Sequence, residues 1–180
     1  MIRFFDLFFS IIGLLFLFPI LTLFIIIGYF VYGSPIFRQI RVGFKQRPFL
    51  LYKLRTMPID TISMATHLVD ENIIPPFGKF LRYFKLDEIP QLFNILIGDM
   101  SIVGPRPCLF NQKKLITERK KRKVFKVKPG ITGLAQVSAI NMKNPSLLSK
   151  TDLKMIREMN LYYYFYYILK TLLFILKKRT

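Results

Sequence analysis

Asp87 and Glu88 stand side by side in Leu86-Asp-Glu-Ile-Pro90, within a 180-residue chain that has 28 Lys and Arg, ten Asp and Glu, and a formal charge of +18. Lys79, Arg82 and Lys85 precede the pair, and Arg106 follows it between two prolines in Gly104-Pro-Arg-Pro107. A purely structural use is open to these acids: Asp87 can cap a helix and Glu88 can favour its dipole. The cations around them describe instead an anion site at a helix start. There a carboxylate can hold Mg²⁺ against phosphates or attack phosphorus itself.

Other chemistries fit less well. Neither Gly-x-x-x-x-Gly-Lys-Ser/Thr nor Gly-x-Gly-x-x-Gly occurs in the sequence. The single histidine, His67, lies in a polar stretch, so a Ser-His-Asp triad is hard to build. Adjacent carboxylates on a helix point about 100° apart, which disfavours the facing pair of a glycosidase. One Cys and one His exclude a disulfide framework and a Cys/His zinc cluster, leaving Cys108 as a reduced, semi-buried thiol. The 19 Phe and nine Tyr gather in apolar segments rather than interleaving with basic residues, so no nucleic-acid partner is expected.

The elements that position these residues begin with 31 uncharged residues, Leu7 to Phe37. About 20 apolar residues suffice to cross a bilayer core as a helix. Pro19 interrupts this stretch, and a proline inside a helix removes one bond and clashes with the preceding turn. Two half-helices of roughly 20 Å each are expected, either as a kinked span or as a hairpin that leaves by the face it entered. Ile36 to Gly43 alternates as a strand, with Pro48 to Met57 as its hairpin partner. Pro58 to Pro76 reads as a polar loop, and Phe77 to Phe84 as a short helix. The next helix is expected to start near Leu86, with Asp87 as cap, Pro90 in its first turn and Gly98 at its C-cap. Lys113 to Lys128 carries nine basic residues against one Glu, either a solvated face or a patch for anionic lipid. Lys128 to Ser138 reads as a glycine-punctuated loop leading into a strand, and Ser149 to Met159 as a polar helix. Leu161 to Arg179, rich in Tyr and apolar residues, reads as a helix lying in a membrane interface.

The motifs along the whole chain resemble those of the bacterial sugar transferases, the monotopic phosphoglycosyl transferases. They are Arg3-Phe-Phe-Asp6, Pro19, Ser34-Pro-Ile-Phe-Arg-Gln39, Tyr52-Lys-Leu-Arg-Thr-Met57, Leu86-Asp-Glu-Ile-Pro-Gln-Leu-Phe-Asn94, Gly98 to Pro107 and Lys128 to Val137. The resemblance implies transfer of a phosphosugar from a UDP-sugar to undecaprenyl phosphate with release of UMP, at the cytoplasmic face of the bacterial inner membrane. It implies Asp87 as nucleophile and Mg²⁺ ligand, giving a covalent phosphosugar intermediate, with Glu88 as its proton-handling or metal-supporting partner. It further implies phosphate-binding roles for Lys53, Arg55 and Arg106; Arg82 and Gln136 join them as substrate-binding candidates. The implied fold is a small α+β domain with a short β-sheet and interfacial amphipathic helices. Residues 1–35 would form a re-entrant helix-break-helix anchor hinged at Pro19, and 36–180 the cytosolic catalytic domain.

Several positions depart from the family pattern. Phe18 stands where a Ser is common, Ser138-Ala-Ile-Asn141 replaces Asn-Gly-Arg-Asn, Asn111 replaces a Glu, and Met155 to Asn160 replaces Tyr-Val-x-Asn-x-Ser. The last three differences imply an altered sugar preference, whereas Phe18 removes a hydroxyl that would help satisfy the broken backbone at the Pro19 hinge; the family resemblance implies an N-acetylated hexosamine as the donor sugar. Anionic lipids and downstream glycosyltransferases are the expected further partners. The alternative from another class is a non-catalytic membrane scaffold that recruits glycan-assembly enzymes.

Overall fold

The computed structural model describes residues 1–59 and 73–177; His67 and most of the expected Pro58–Pro76 loop lie outside these residues. The chain runs α1 (Ile2–Tyr32), β1 (Ile36–Val42), β2 (Pro48–Leu54), α2 (Pro76–Tyr83) and α3 (Gln91–Ile97). It continues through β3 (Ser101–Val103), α4 (Lys113–Lys121), β4 (Gly130–Thr132), α5 (Leu134–Val137), α6 (Pro145–Glu158) and α7 (Leu161–Lys177). This is an α+β fold.

Among the described residues the strands form two small sheets rather than one. β1 and β2 are the expected antiparallel hairpin, in register from Ile36 opposite Leu54 to Val42 opposite Pro48. β3 and β4 pair in parallel, Ser101 opposite Gly130 and Val103 opposite Thr132. The backbones of Gly104 and Gly130 meet so closely that a Cβ on Gly130 would lie 2.0 Å from the Gly104 nitrogen. A side chain there would push apart the Pro-Arg-Pro segment and the Lys-Pro-Gly segment. The strand of the Lys128–Ser138 region is therefore Gly130–Thr132, and the helical turn α5 stands after it where a strand was expected.

One apolar cluster joins the hairpin to α3 through Phe49, Leu51, Ile95 and Met100. A second, around Val103, Met155, Tyr164 and Tyr167, seats α7 against β3 and the start of α1. Buried polar groups tie the same elements. Asp6, 2% exposed, accepts from Ser101 Oγ (3.0 Å), the Ile102 amide (2.9 Å) and Tyr164 Oη (2.9 Å). Arg3 donates to the carbonyls of Ile95 and Leu96, satisfying acceptors at the C-terminal end of α3.

Helix α1 corrects the expectation of a broken helix. It is a single 31-residue helix with Pro19 inside it. Proline leaves one carbonyl without its ladder partner, a cost of about 3 kcal/mol that the long apolar flanks sustain. The Thr22 hydroxyl donates to the Phe18 carbonyl (2.9 Å) beside the proline. By length and composition α1 could cross a membrane. Its two ends nevertheless pack on one body: Arg3 and Asp6 on α3 and β3, and Phe24 against the rings of Phe77 and Phe80 on α2 (6.1 and 6.2 Å). Between these anchors Leu15, Phe16 and Phe18 are exposed.

Candidate active site

The carboxylate pair sits in a single 3₁₀ turn, Leu86–Glu88, between α2 and α3. Lys85 adopts a left-handed conformation (φ 55°) that reverses the chain out of α2 into this turn. Helix α3 starts only at Gln91, with Pro90 at its N-cap and Gly98 (φ 95°) at its C-cap. Asp87 makes no capping bond, so its carboxylate is available for other work, contrary to the simple structural use.

Lys53 supplies the partner. It lies on the same face of β2 as Phe49 and Leu51, which the core fixes. Its Nζ is 2.9 Å from Glu88 Oε1 and 3.4 Å from Asp87 Oδ2. Arg106 Nη2 reaches the same Glu88 oxygen at 2.9 Å. Helix α3, which follows the turn, is held against β2 by Asn94, fully buried, whose side chain accepts from the Tyr52 amide (3.0 Å) and donates to the Leu50 carbonyl (2.7 Å). It thus pairs the open edge of the hairpin as a strand would.

The two acids, both buried, are driven in opposite directions. Burial raises the pKa of Asp87, with Lys53 opposing and the Glu88 charge adding to the rise. Burial acts on Glu88 too, but Lys53 and Arg106, joined by Lys85, outweigh it and hold Glu88 well below the ordinary glutamate range. Asp87 is the weaker, less stabilised acid of the pair, and Glu88 is the fixed anion. Among the described residues Glu88 Oε2 is buried without a hydrogen-bond partner, which leaves one carboxylate oxygen free to support a cation.

Among the described residues no group of three or more His, Cys, Asp or Glu gathers into a metal cage. Two carboxylates, one with an orphaned oxygen, still suit Mg²⁺, which takes one or two protein carboxylates and fills its remaining positions with phosphate oxygens and water. Asp87 and Glu88 are the residues that would hold it.

The structure brings Lys53, Asp87, Glu88 and Arg106 into one cluster. A cavity of about 330 Å³ adjoins it, lined by Arg106, Lys85, Arg41, Gln136, Asn141 and an apolar wall that includes Ile140 and Met142. Gln136 donates to the Gly104 carbonyl (3.1 Å), and its Oε1 is buried without a partner among the described residues. Arg82 donates to Thr56 Oγ1 (2.9 Å) beyond the end of β2. Arg55 is engaged away from the pair: it donates to the Ser34 carbonyl (2.8 Å) and lies over the Phe37 ring.

Two contributors are hard to find by sequence reasoning. Arg41 donates to the Pro107 carbonyl (3.2 Å) and to Gln39; its only sequence signal is the i, i+2 spacing with Gln39 on one strand face. Arg119 looks like one more cation of the basic run. It is 2% exposed, pairs with buried Asp152 (2.8 Å) and donates to the Arg106 carbonyl (2.8 Å).

The profile of the family described as "Bacterial sugar transferase" matches residues 1–178. The chain is similar to "Uncharacterized sugar transferase EpsL" of Bacillus subtilis (strain 168), 46% identical over 110 residues, covering 61% of this chain and 54% of that protein. It is also similar to "UDP-glucose:undecaprenyl-phosphate glucose-1-phosphate transferase" of Xanthomonas campestris pv. campestris, 41% identical over 144 residues, covering 72% of this chain and 29% of the relative. "Galactosyl transferase CpsE" of Streptococcus agalactiae serotype III (strain NEM316) is 35% identical over 175 residues, covering 89% and 38%. The matches thus span between about a third and about half of these relatives' own lengths.

Proposed function

This chain belongs to the bacterial sugar transferase family, and from that premise we propose that it moves a phosphosugar from a UDP-sugar to undecaprenyl phosphate, releasing UMP and initiating a surface glycan. The observation that carries the reading is the buried cluster of Asp87, Glu88, Lys53 and Arg106 beside a cavity open to a ligand.

In the first step an Asp87 oxygen attacks the sugar-linked phosphorus, the bond to the bridging oxygen breaks, and UMP leaves with that oxygen. In the second, a phosphate oxygen of undecaprenyl phosphate attacks the same phosphorus and Asp87 leaves as carboxylate. Both steps exchange one oxyanion for another, so neither needs a proton. A Glu88 fixed as an anion suits this better than the proton-handling role that the resemblance implied: it aligns Lys53 and Arg106 towards the phosphates. The raised pKa of Asp87 suits a carboxylate that is left reactive rather than neutralised in a tight ion pair. When Mg²⁺ is bound, it neutralises charge on the donor diphosphate.

The apolar wall of the cavity, with the amides of Gln136 and Asn141 beside it, supports a donor sugar that carries an acetamido group. The relatives named for glucose and galactose transfer set no single sugar. Residues 1–35 enter and leave the cytoplasmic leaflet of the inner membrane from one side, α1 kinking at Pro19 without losing its helical run. This path is supported by the packing of both ends of α1 on one body and by the exposed Leu15, Phe16 and Phe18 between them. The exposed Tyr162, Leu169 and Leu172 of α7 support its place in the same interface.

The test is UMP release from a panel of UDP-sugars with undecaprenyl phosphate and Mg²⁺. Release from an acetamido-sugar donor that is abolished by Asp87→Asn is expected. A folded, membrane-bound protein that releases no UMP from any donor would point to the scaffold.

A further inference from the structure

We propose that Arg41, together with Arg106, forms a second phosphate-binding subsite inside the cavity next to Asp87. The identity of the ligand's parent molecule, though not the subsite, rests on the function proposed above.

Arg41 projects from β1 and is 9% exposed, with what remains open lining the cavity. A cation this buried ordinarily has a carboxylate beside it, because an unpaired buried charge is costly. Among the described residues no carboxylate lies within ion-pair distance of Arg41. Its hydrogen-bond acceptors there are both neutral, the Pro107 carbonyl and the Gln39 amide oxygen, and its Nε is buried with no hydrogen-bond partner. Burial first, and then the neighbouring Arg106, lower its pKa to about 10, with Cys108 and the more distant Glu88 opposing.

Arg106 shares the cavity, gives Nη2 to Glu88, and leaves the rest of its fork towards the open space, its side chain 37% exposed. Two guanidinium groups thus face one cavity. Among the described residues the only carboxylate bonded to either is Glu88, which Lys53 already shares. A phosphate placed between them would relieve their repulsion and accept charge-assisted hydrogen bonds from both guanidinium groups. Gln136, with its orphaned Oε1, stands in the same wall and could accept from a hydroxyl next to that phosphate.

A purely structural Arg41 predicts something else. Its bond to Pro107 would then only brace the Pro-Arg-Pro segment, and removing it would lower stability without a selective loss of phosphate affinity. Arg41→Gln retains an amide that can still donate to Pro107, and Arg41→Lys retains the charge without the fork.

The experiment is calorimetric titration of the full chain in nanodiscs with UMP, with inorganic pyrophosphate and with undecaprenyl phosphate, for wild type and both variants, alongside thermal unfolding. Arg41→Gln is expected to weaken at least one of these ligands by about tenfold or more at low salt, with Arg41→Lys intermediate. Weakening confined to UMP and pyrophosphate assigns the subsite to the donor; weakening confined to undecaprenyl phosphate assigns it to the acceptor. Unchanged affinities in folded Arg41→Gln, or an equal loss in both variants that follows their unfolding temperatures, would overturn the subsite. Arg41-dependent pyrophosphate binding without UMP release from any donor would instead refute the proposed function and leave the subsite standing.

Discussion

The Arg119–Asp152 pair offers a perturbation whose effects on stability and on catalysis separate. Arg119 Nε donates to Asp152 Oδ2 at 2.9 Å, both side chains are about 98% buried or more, and Asp152 Oδ1 has no partner among the described residues. Burial raises the pKa of Asp152, with Arg119 opposing, so this carboxylate depends on its one cation. Arg119→Met would leave that charge buried and unpaired, at a cost of about 3–5 kcal/mol. At about 2–4 °C per kcal/mol for a domain of this size, the melting temperature should fall by roughly 6–20 °C. Adding Asp152→Leu removes the orphaned charge and should restore most of that loss. Activity should not recover with it. Arg119 Nη1 also holds the Arg106 carbonyl at 2.8 Å, and through Arg106 the Glu88 carboxylate. The double variant should therefore melt near wild type yet turn over slowly. Thermal unfolding in detergent, paired with UMP release at a temperature where both variants are folded, provides the assay. A single variant that loses less than about 1 kcal/mol would mean that Arg119 does not neutralise a buried charge, and a double variant with full activity would mean that it does not position Arg106.

The remaining expectations concern the acids and the membrane. Glu88→Gln removes a negative charge that raises the Asp87 pKa and frees Lys53 to pair with Asp87, so the acid limb of the pH–rate profile should move to lower pH; a limb that moves up, or stays, contradicts the coupling. Because the folded-state pKa of Glu88 is lowered, its contribution to stability is present above the ordinary glutamate range and lost as pH falls through the folded value. Glu88→Gln should accordingly destabilise the fold at neutral pH and progressively less in acid, as followed by denaturant unfolding across pH. With Cys108→Ser as background, a cysteine appended ahead of Met1 and another at Arg47 should both resist an impermeant thiol reagent in intact cells; labelling ahead of Met1 alone would mean that α1 spans. Lys120→Glu with Lys123→Glu should weaken binding to anionic vesicles by about tenfold or more, at about 1 kcal/mol per charge removed, and leave neutral vesicles unaffected; equal partitioning would return the basic run to a solvated face.

How much of the fold is legible in the sequence depends on how local each signal is. The β1–β2 hairpin is legible because alternation and a turn lie within 20 residues, and Gly98 because only a left-handed residue could end α3 there. The start of α3 is easily misplaced because Asp87 and Pro90 mimic a capped first turn, whereas Lys53, 34 residues away, claims the carboxylate. The break at Pro19 is overstated when the cost of proline is weighed without the apolar flanks that carry the helix past it. Arg119 and Arg41 are invisible for one reason: a cation's burial depends on partners far along the chain, Asp152 for one and Pro107 for the other. The pairing of β3 with β4, joined only through three-residue strands and a glycine contact, has no periodic signal at all.

In the proposed reaction Asp87 itself becomes bonded to phosphorus. The full chain in nanodiscs, given an acetamido UDP-sugar and Mg²⁺ but no polyprenyl phosphate, should release UMP stoichiometrically with the enzyme. Intact and peptide mass spectrometry should then find a phosphosugar on the peptide that holds Asp87, discharged when undecaprenyl phosphate is added and absent in Asp87→Asn. UMP release that requires the acceptor from the outset, with no adduct on Asp87 at any time, would contradict the account.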